Sequence, residues 1–176
     1  MIEVIKTAIE GVVLLKPLVH SDTRGYFFEA YNKDLFSKKI SDINFIQDNE
    51  SQSNFGVLRG IHFQKYPYQQ SKLIRVVKGK IQDVAIDLRP DSKTYRKYVS
   101  IILDDKKKEQ LFIPKGFGHA FLTLSKTAII SYKVDNFYNK QADSGIKYDD
   151  PSININWELN DNQIILSDKD NKLPYL

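Results

Sequence analysis

Lys72-Leu73-Ile74-Arg75-Val76-Val77-Lys78-Gly79-Lys80-Ile81-Gln82-Asp83-Val84-Ala85-Ile86-Asp87-Leu88 reads as two strands joined at a glycine. β-Branched residues recur through both arms, and Gly79 supplies the turn. In the second arm, strand alternation places Val84, Ile86 and Leu88 on one face and Asp83, Ala85 and Asp87 on the other. Arg89-Pro90-Asp91-Ser92 then reads as the next turn.

The same texture extends in both directions. Val12–Leu15, Tyr26–Tyr31, Ile43–Ile46 and Val57–Gln64 precede this pair as predicted strands. Lys97–Leu103, Gln110–Ile113, Phe117–Leu124 and Thr127–Val134 follow it. Lys33–Lys39 is the one helix candidate. Short strands punctuated by turns about every eight to twelve residues indicate an all-β sandwich or barrel. No repeat, low-complexity tract or linker divides the chain, so residues 1–176 read as one domain. In Phe117–Leu124, alternation groups Phe117, His119 and Phe121. In Thr127–Val134 it groups Ile130, Tyr132 and Val134.

Composition narrows the function. The 176 residues are 41% apolar and 27% charged, as in an ordinary soluble protein. The absence of cysteine excludes disulfides, thiolate metal sites and cysteine nucleophiles. Met1–Lys6 does not resemble a signal peptide, and no run has the roughly 18 apolar residues of a membrane span. A cytoplasmic protein without membrane partners is expected. The net charge of +4 comes from mixed charges without a basic–aromatic ladder, so no nucleic-acid partner is expected. Asp104–Glu109 reads as a solvated turn.

Chemistry concentrates at Leu58-Arg59-Gly60-Ile61-His62-Phe63-Gln64, which holds one of three histidines. Histidine is the side chain that most readily exchanges a proton near neutral pH. Strict alternation puts His62 and Gln64 opposite Arg59, although Gly60 would permit a bulge that re-aims one of them. There is no His-X-His pair for a metal, and His20, His62 and His119 are far apart in sequence, so no metal site is expected. There is no Gly-X-Ser-X-Gly elbow and no phosphate loop. General acid–base chemistry remains: His62 as a base, Tyr132 or Tyr138 as an acid, and Lys72 and Arg59 as sources of positive charge. Asp83 or Asp170 would orient the imidazole.

A set of motifs runs in order along nearly the whole chain. They are Asp22–Glu29, Phe45–Asn49, Val57–Gln64, Lys72–Arg75, Asp83–Arg89, Ile113–Phe121, Tyr132-Lys133 with Tyr138, and Leu166–Asp170. Together they resemble the dTDP-4-dehydrorhamnose 3,5-epimerases. The resemblance implies a cupin-like jelly-roll β-barrel with a few short peripheral helices. It also implies inversion of C3 and C5 in dTDP-4-dehydro-6-deoxy-D-glucose, giving dTDP-4-dehydro-L-rhamnose. No cofactor is implied, because the substrate's own C4 ketone acidifies the neighbouring C–H bonds. By resemblance His62 is the base, Asp170 its carboxylate partner, Tyr132 the proton donor and Lys72 the group that stabilises the enolate. Arg24, Glu29, Gln47, Asn49, Arg59, His119, Tyr138, Asp143 and Lys169 would bind the nucleotide-sugar, with Tyr138 stacking on the base. A homodimer is implied, in which the Arg24–Glu29 segment reaches a neighbour's pocket. The sequence departs from the family at Asp143, where a glutamate is frequent, and at Phe137, where a tyrosine is common.

Overall fold

Two antiparallel sheets face one another, and the inward side chains of their strands make the main core. The computed structural model describes residues 2–176. In chain order the elements are β1 (Ile2–Lys6), β2 (Val13–Pro17), β3 (His20–Asp22), β4 (Gly25–Phe27), α1 (Lys33–Lys39), β5 (Gln47–Asn54) and β6 (Leu58–Gln64). They continue with β7 (Lys72–Lys78), β8 (Lys80–Asp87), β9 (Tyr98–Asp104), β10 (Gln110–Ile113), β11 (Phe117–Thr123), β12 (Thr127–Val134), β13 (Asp143–Gly145) and the short α2 (Asp168–Asn171). One sheet has six strands in the order β1-β2-β10-β7-β12-β5, the other five in the order β13-β6-β11-β8-β9. The strand pattern pointed to an all-β sandwich or barrel, and the family resemblance to this cupin-like jelly roll, with helices confined to two short peripheral pieces.

Alternation explains three apolar layers. Ile74 and Val76 of β7, Ile81 and Ala85 of β8, Phe117 and Phe121 of β11 and Ile130 of β12 fill the space between the sheets, with Tyr132 packed against them. The opposite side of the five-stranded sheet (Ile61, Val84, Ile86 and Ala120) is covered by Ile146, Ile153 and Ile155 of the C-terminal segment. The back of the six-stranded sheet, through Leu15, Leu73 and Phe112, receives Phe36 of α1. Both faces of β8 are therefore buried. The face carrying Asp83 and Ala85 points between the sheets, and the Val84/Ile86 face points outward under the C-terminal cover.

Several expected strands fall as read: β10 and β12 have the anticipated bounds, and α1 spans Lys33–Lys39. The Asn32 side chain caps α1 by accepting the Leu35 N–H at 3.0 Å. Two expectations need correction. The Tyr26–Tyr31 stretch pairs only over Gly25–Phe27, in an exposed hairpin with His20–Asp22. The strand expected at Ile43–Ile46 begins instead at Gln47 and runs through polar residues to Asn54. The reason is tertiary: Tyr31, Ile43 and Phe45 pack around Phe36 rather than joining a sheet. The polar β5 is tolerated because it is an edge strand, paired only with β12. Among the described residues, no helix is long and apolar enough to cross a membrane.

Candidate active site

Gly60 decides how β6 presents its side chains. Against β11, His62 pairs with His119 and Arg59 with Phe121, so two residues, Gly60 and Ile61, oppose the single Ala120. This bulge offsets the alternation by one residue. Arg59 and His62 consequently share the inward face, and Ile61 turns into the outer layer. Only glycine fits the position. Its φ is +118°, and a Cβ there would stand 2.6 Å from the His119 carbonyl oxygen and 2.7 Å from the Ala120 Cα.

The inward faces enclose a cavity of about 610 Å³ lined by His62, Lys72, Tyr132 and Asp170, together with Arg59, His119, Tyr138, Asp143 and Lys169. The five-stranded sheet contributes Arg59, His62 and His119. The facing sheet contributes Lys72 at the start of β7 and Tyr132 on β12, which pairs with Ile74 of β7. Asp170 arrives from α2. The Ser167 hydroxyl caps this turn by accepting the Asp170 N–H at 3.1 Å.

Asp170 Oδ1 lies 2.8 Å from His62 Nε2, and the carboxylate is almost wholly buried. Burial pushes the Asp170 carboxyl up, but His62, the Ser167 hydroxyl and the Gly60 N–H hold it below the usual range. A carboxylate at Nε2 keeps the ring proton there, and His62 Nδ1 has no protein partner. Nδ1 is itself buried, so the protein leaves its lone pair unengaged while the carboxylate stands ready to stabilise a positively charged ring. Burial drags the Lys72 ammonium down to about 8, with the Asp83 and Asp143 carboxylates opposing that fall. Burial pushes the Tyr132 hydroxyl above its usual value, so it is a neutral donor across the neutral range. Arg59 reaches toward β5, donating from Nε to Ser53 Oγ at 3.0 Å and from Nη2 to the Gln52 carbonyl at 3.2 Å.

At the mouth, the Asp143 carboxylate accepts from the Lys169 ammonium and, at 3.1 Å, from the Tyr138 hydroxyl. Burial opposes ionisation of Asp143, yet Lys169 and Tyr138 hold its carboxyl below the usual range. Tyr138 is well exposed, and its loop is pinned on either side. Gln64 Oε1 accepts the Asn139 N–H at 2.9 Å, and Gln70 Nε2 donates to the Asn136 carbonyl at 2.8 Å.

Four expected contacts, Arg24, Glu29, Gln47 and Asn49, do not line this cavity in their own chain. Arg24 stands on the exposed hairpin, paired with Asp22 at 2.6 Å. The Glu29 carboxylate accepts from Asn32, and Gln47 Nε2 donates to Asn49 Oδ1 at 2.8 Å. Conversely Ser51, Phe63, Gln64, Gln70 and Ser167 line the cavity without having been singled out. Nothing local marks them, since side chains of these types look alike whether they face water, core or a pocket. His20 is exposed, as a surface residue, and Asp104 Oδ1 caps the charged turn by accepting the Lys106 and Lys107 N–H groups. Among the described residues, no group of three His, Asp or Glu side chains converges as a metal-binding set.

Known proteins are similar to this chain in sequence and in fold. A dTDP-4-dehydrorhamnose 3,5-epimerase from Methanothermobacter thermautotrophicus is 46% identical over 94% of this chain and 90% of its own. The crystal structure of the dTDP-4-dehydrorhamnose 3,5-epimerase from Bacillus anthracis, with TDP and PPi bound, is 43% identical and superposes with a TM-score of 0.96 over 100% of both chains. A dTDP-6-deoxy-D-glucose-3,5-epimerase from Legionella pneumophila, in complex with dTDP-4-keto-L-rhamnose, is 36% identical, with a TM-score of 0.96 over 99% of this chain and 93% of that one. The model of the dTDP-4-dehydrorhamnose 3,5-epimerase family matches residues 6–176. With its jelly roll and its His62–Asp170 pair facing Tyr132 across one cavity, the chain belongs to the dTDP-4-dehydrorhamnose 3,5-epimerase family.

Proposed function

We propose that this protein inverts C3 and C5 of dTDP-4-dehydro-6-deoxy-D-glucose to give dTDP-4-dehydro-L-rhamnose. The observation that carries the mechanism is the placement of His62 and Tyr132 on opposite sheets of one cavity. Inversion needs a proton removed from one face of a carbon and another delivered to the opposite face. His62 takes the proton from the carbon beside the C4 ketone, and Asp170 stabilises the imidazolium that forms. The electron pair of the broken C–H bond moves into the ring, giving an enolate. Lys72 stabilises its oxygen. Tyr132 returns a proton from the other side; the His62 imidazolium then gives its proton to water and the Tyr132 phenolate takes one from water, which resets both groups for the second carbon. Arg59, His119, Asp143 and Lys169 hold the nucleotide-sugar, Arg59 suiting diphosphate oxygens, and Tyr138 stacks on the base.

A homodimer accounts for the contacts that the chain's own cavity lacks. The hairpin carrying Arg24 also exposes Tyr26 and Phe27, large aromatic side chains suited to burial against a second copy. In that dimer the Arg24–Glu29 segment enters the neighbour's pocket, with Gln47 and Asn49 on the edge strand beside it.

The deciding experiment is exchange in D2O with the dTDP-linked 4-keto sugar, counting deuterium at each carbon. Incorporation at both C3 and C5, abolished by His62→Ala, is expected. Exchange at one carbon only would replace this reading with that of a single-site epimerase. The absence of exchange at either carbon would leave a sugar-nucleotide-binding protein, and a His62→Ala variant that still exchanges would remove His62 as the base.

A further inference from the structure

A second imidazole–carboxylate pair lies directly beside the first. His119 is the cross-strand partner of His62, and its Nε2 lies 2.5 Å from Asp83 Oδ1 on the next strand, β8. Asp83 is fully buried and sits behind His119 rather than in the cavity wall, and its second oxygen, Oδ2, has no partner. A buried carboxylate with an unsatisfied oxygen is costly, and a purely structural position would be better served by an apolar residue. The nearby positive charge it can answer is Lys72, which projects from the facing sheet into the same cavity.

We propose that Asp83 is a positioning residue of this site: it fixes the His119 imidazole in the Nε2–H tautomer, leaving the Nδ1 lone pair to accept from a hydroxyl of the bound sugar, and it is the buried counter-charge that keeps Lys72 an ammonium. The inference rests on the epimerase reading for the identity of the bound sugar. The arrangement follows from the register. Phe121 of β11 opposes Asp83, so the carboxylate stands diagonal to His119 on the inward face. Burial lowers the His119 imidazole below its ordinary value, against the pull of Asp83, which keeps the ring neutral and its second nitrogen an acceptor. The groups bearing on Lys72 are Asp83 from β8, Asp143 from β13 and His119 from β11. Of the two carboxylates, Asp143 is already engaged by Lys169 and Tyr138. Asp83 is the one with an oxygen to spare.

Two measurements test this without depending on turnover. Long-range ¹H–¹⁵N correlation near neutral pH reports each ring tautomer, and with three histidines in the chain His119 is assigned by its loss in His119→Gln. The expected pattern is protonation at Nε2; a ring protonated at Nδ1 overturns the proposal. The second measurement is titration of the Lys72 side-chain ¹³Cε resonance in wild type and Asp83→Asn. Removing a carboxylate that favours the ammonium moves the Lys72 transition to lower pH, by about one unit or more. The alkaline limb of kcat moves with it, a loss of about fivefold at the pH where wild type is half-active. An unmoved Lys72 transition in a folded variant overturns the proposal. Where Asp83→Asn fails to fold, the smaller Asp83→Ser removes the same charge and gives the same readout. If wild type shows the expected tautomer and titration but no exchange with the sugar, the epimerase reading fails and the positioning network stands.

Discussion

Asp170→Asn isolates the charge that backs the base. The substitution keeps the shape of the side chain and leaves an oxygen to accept the Gly60 N–H, so β6 and α2 should stay in place. What it removes is a carboxylate 2.8 Å from His62 Nε2 in an almost closed environment. That carboxylate matters little to the neutral ring and much to the imidazolium formed as the C–H bond breaks. A hydrogen bond to a charged group contributes about 1.5–3 kcal/mol. At about 1.36 kcal/mol per decade, losing it from the transition state lowers the exchange rate by roughly 10- to 150-fold. The assay is deuterium incorporation at C3 and C5 under saturating substrate, beside a binding measurement with dTDP. The fall should appear in the exchange rate with dTDP affinity nearly unchanged, because Asp170 contacts the base rather than the nucleotide. In a His62→Ala background, Asp170→Asn should cost little more, since the two act as one unit. A variant within about threefold of wild type, with its fold intact, would refute the reasoning and demote Asp170 to a packing residue.

Tyr132→Phe should reduce epimerisation more than exchange, because abstraction by His62 survives loss of the donor; equal loss of both would remove Tyr132 from that role. Gly60→Ala should destabilise the protein by about 2–4 kcal/mol and cut activity further, since a Cβ meets the His119 carbonyl at 2.6 Å and a shift there re-aims His62; a denaturation midpoint like that of wild type would show that the bulge is not held by this glycine. Asp87 is fully buried and accepts from Arg89 at 2.7 Å, Ser92 at 2.6 Å and Thr94 at 2.7 Å, which together outweigh burial and hold its carboxyl far below the usual range. The unfolded chain therefore binds a proton at Asp87 before the folded one does, so its contribution is complete above about pH 4 and is lost as pH falls through the depressed folded value. Asp87→Asn should cost about 3–5 kcal/mol at neutral pH and flatten the acid limb of stability; denaturant midpoints that keep the wild-type slope as pH falls from about 4 to about 2 would count against Asp87 as its source.

Local chemistry made much of this molecule legible before its fold was known. The alternation in Lys80–Leu88, Phe117–Leu124 and Thr127–Val134 named the faces correctly, because a strand's side-chain period is a property of its backbone alone. The one helix candidate, Lys33–Lys39, also fell as read, and the structure adds its Asn32 cap. The strand readings failed where tertiary partners outbid local propensity. Tyr31, Ile43 and Phe45 suit a sheet but found the Phe36 cluster, and polar Gln47–Asn54 became a strand because β12 offered it an edge.

The site divides in the same way. Residue identity by itself singled out His62 as a proton carrier and made Lys72, Tyr132 and Asp83 or Asp170 available to it, since ionisation and hydrogen-bonding capacity belong to the side chain. Which carboxylate serves which imidazole is a matter of distance, and distance is set by packing: α2 brings Asp170 to His62, while β8 brings Asp83 to His119. The same holds for Arg59 and His62. Alternation alone places them on opposite faces, and a single extra residue at Gly60, opposite Ala120 of another strand, puts them on one. The sequence by itself determined most of the strands, the faces of those that alternate without a bulge, and the groups that can move a proton. Only the tertiary structure decided that base and acid look at each other from opposite sheets, because that depends on contacts between segments far apart along the chain.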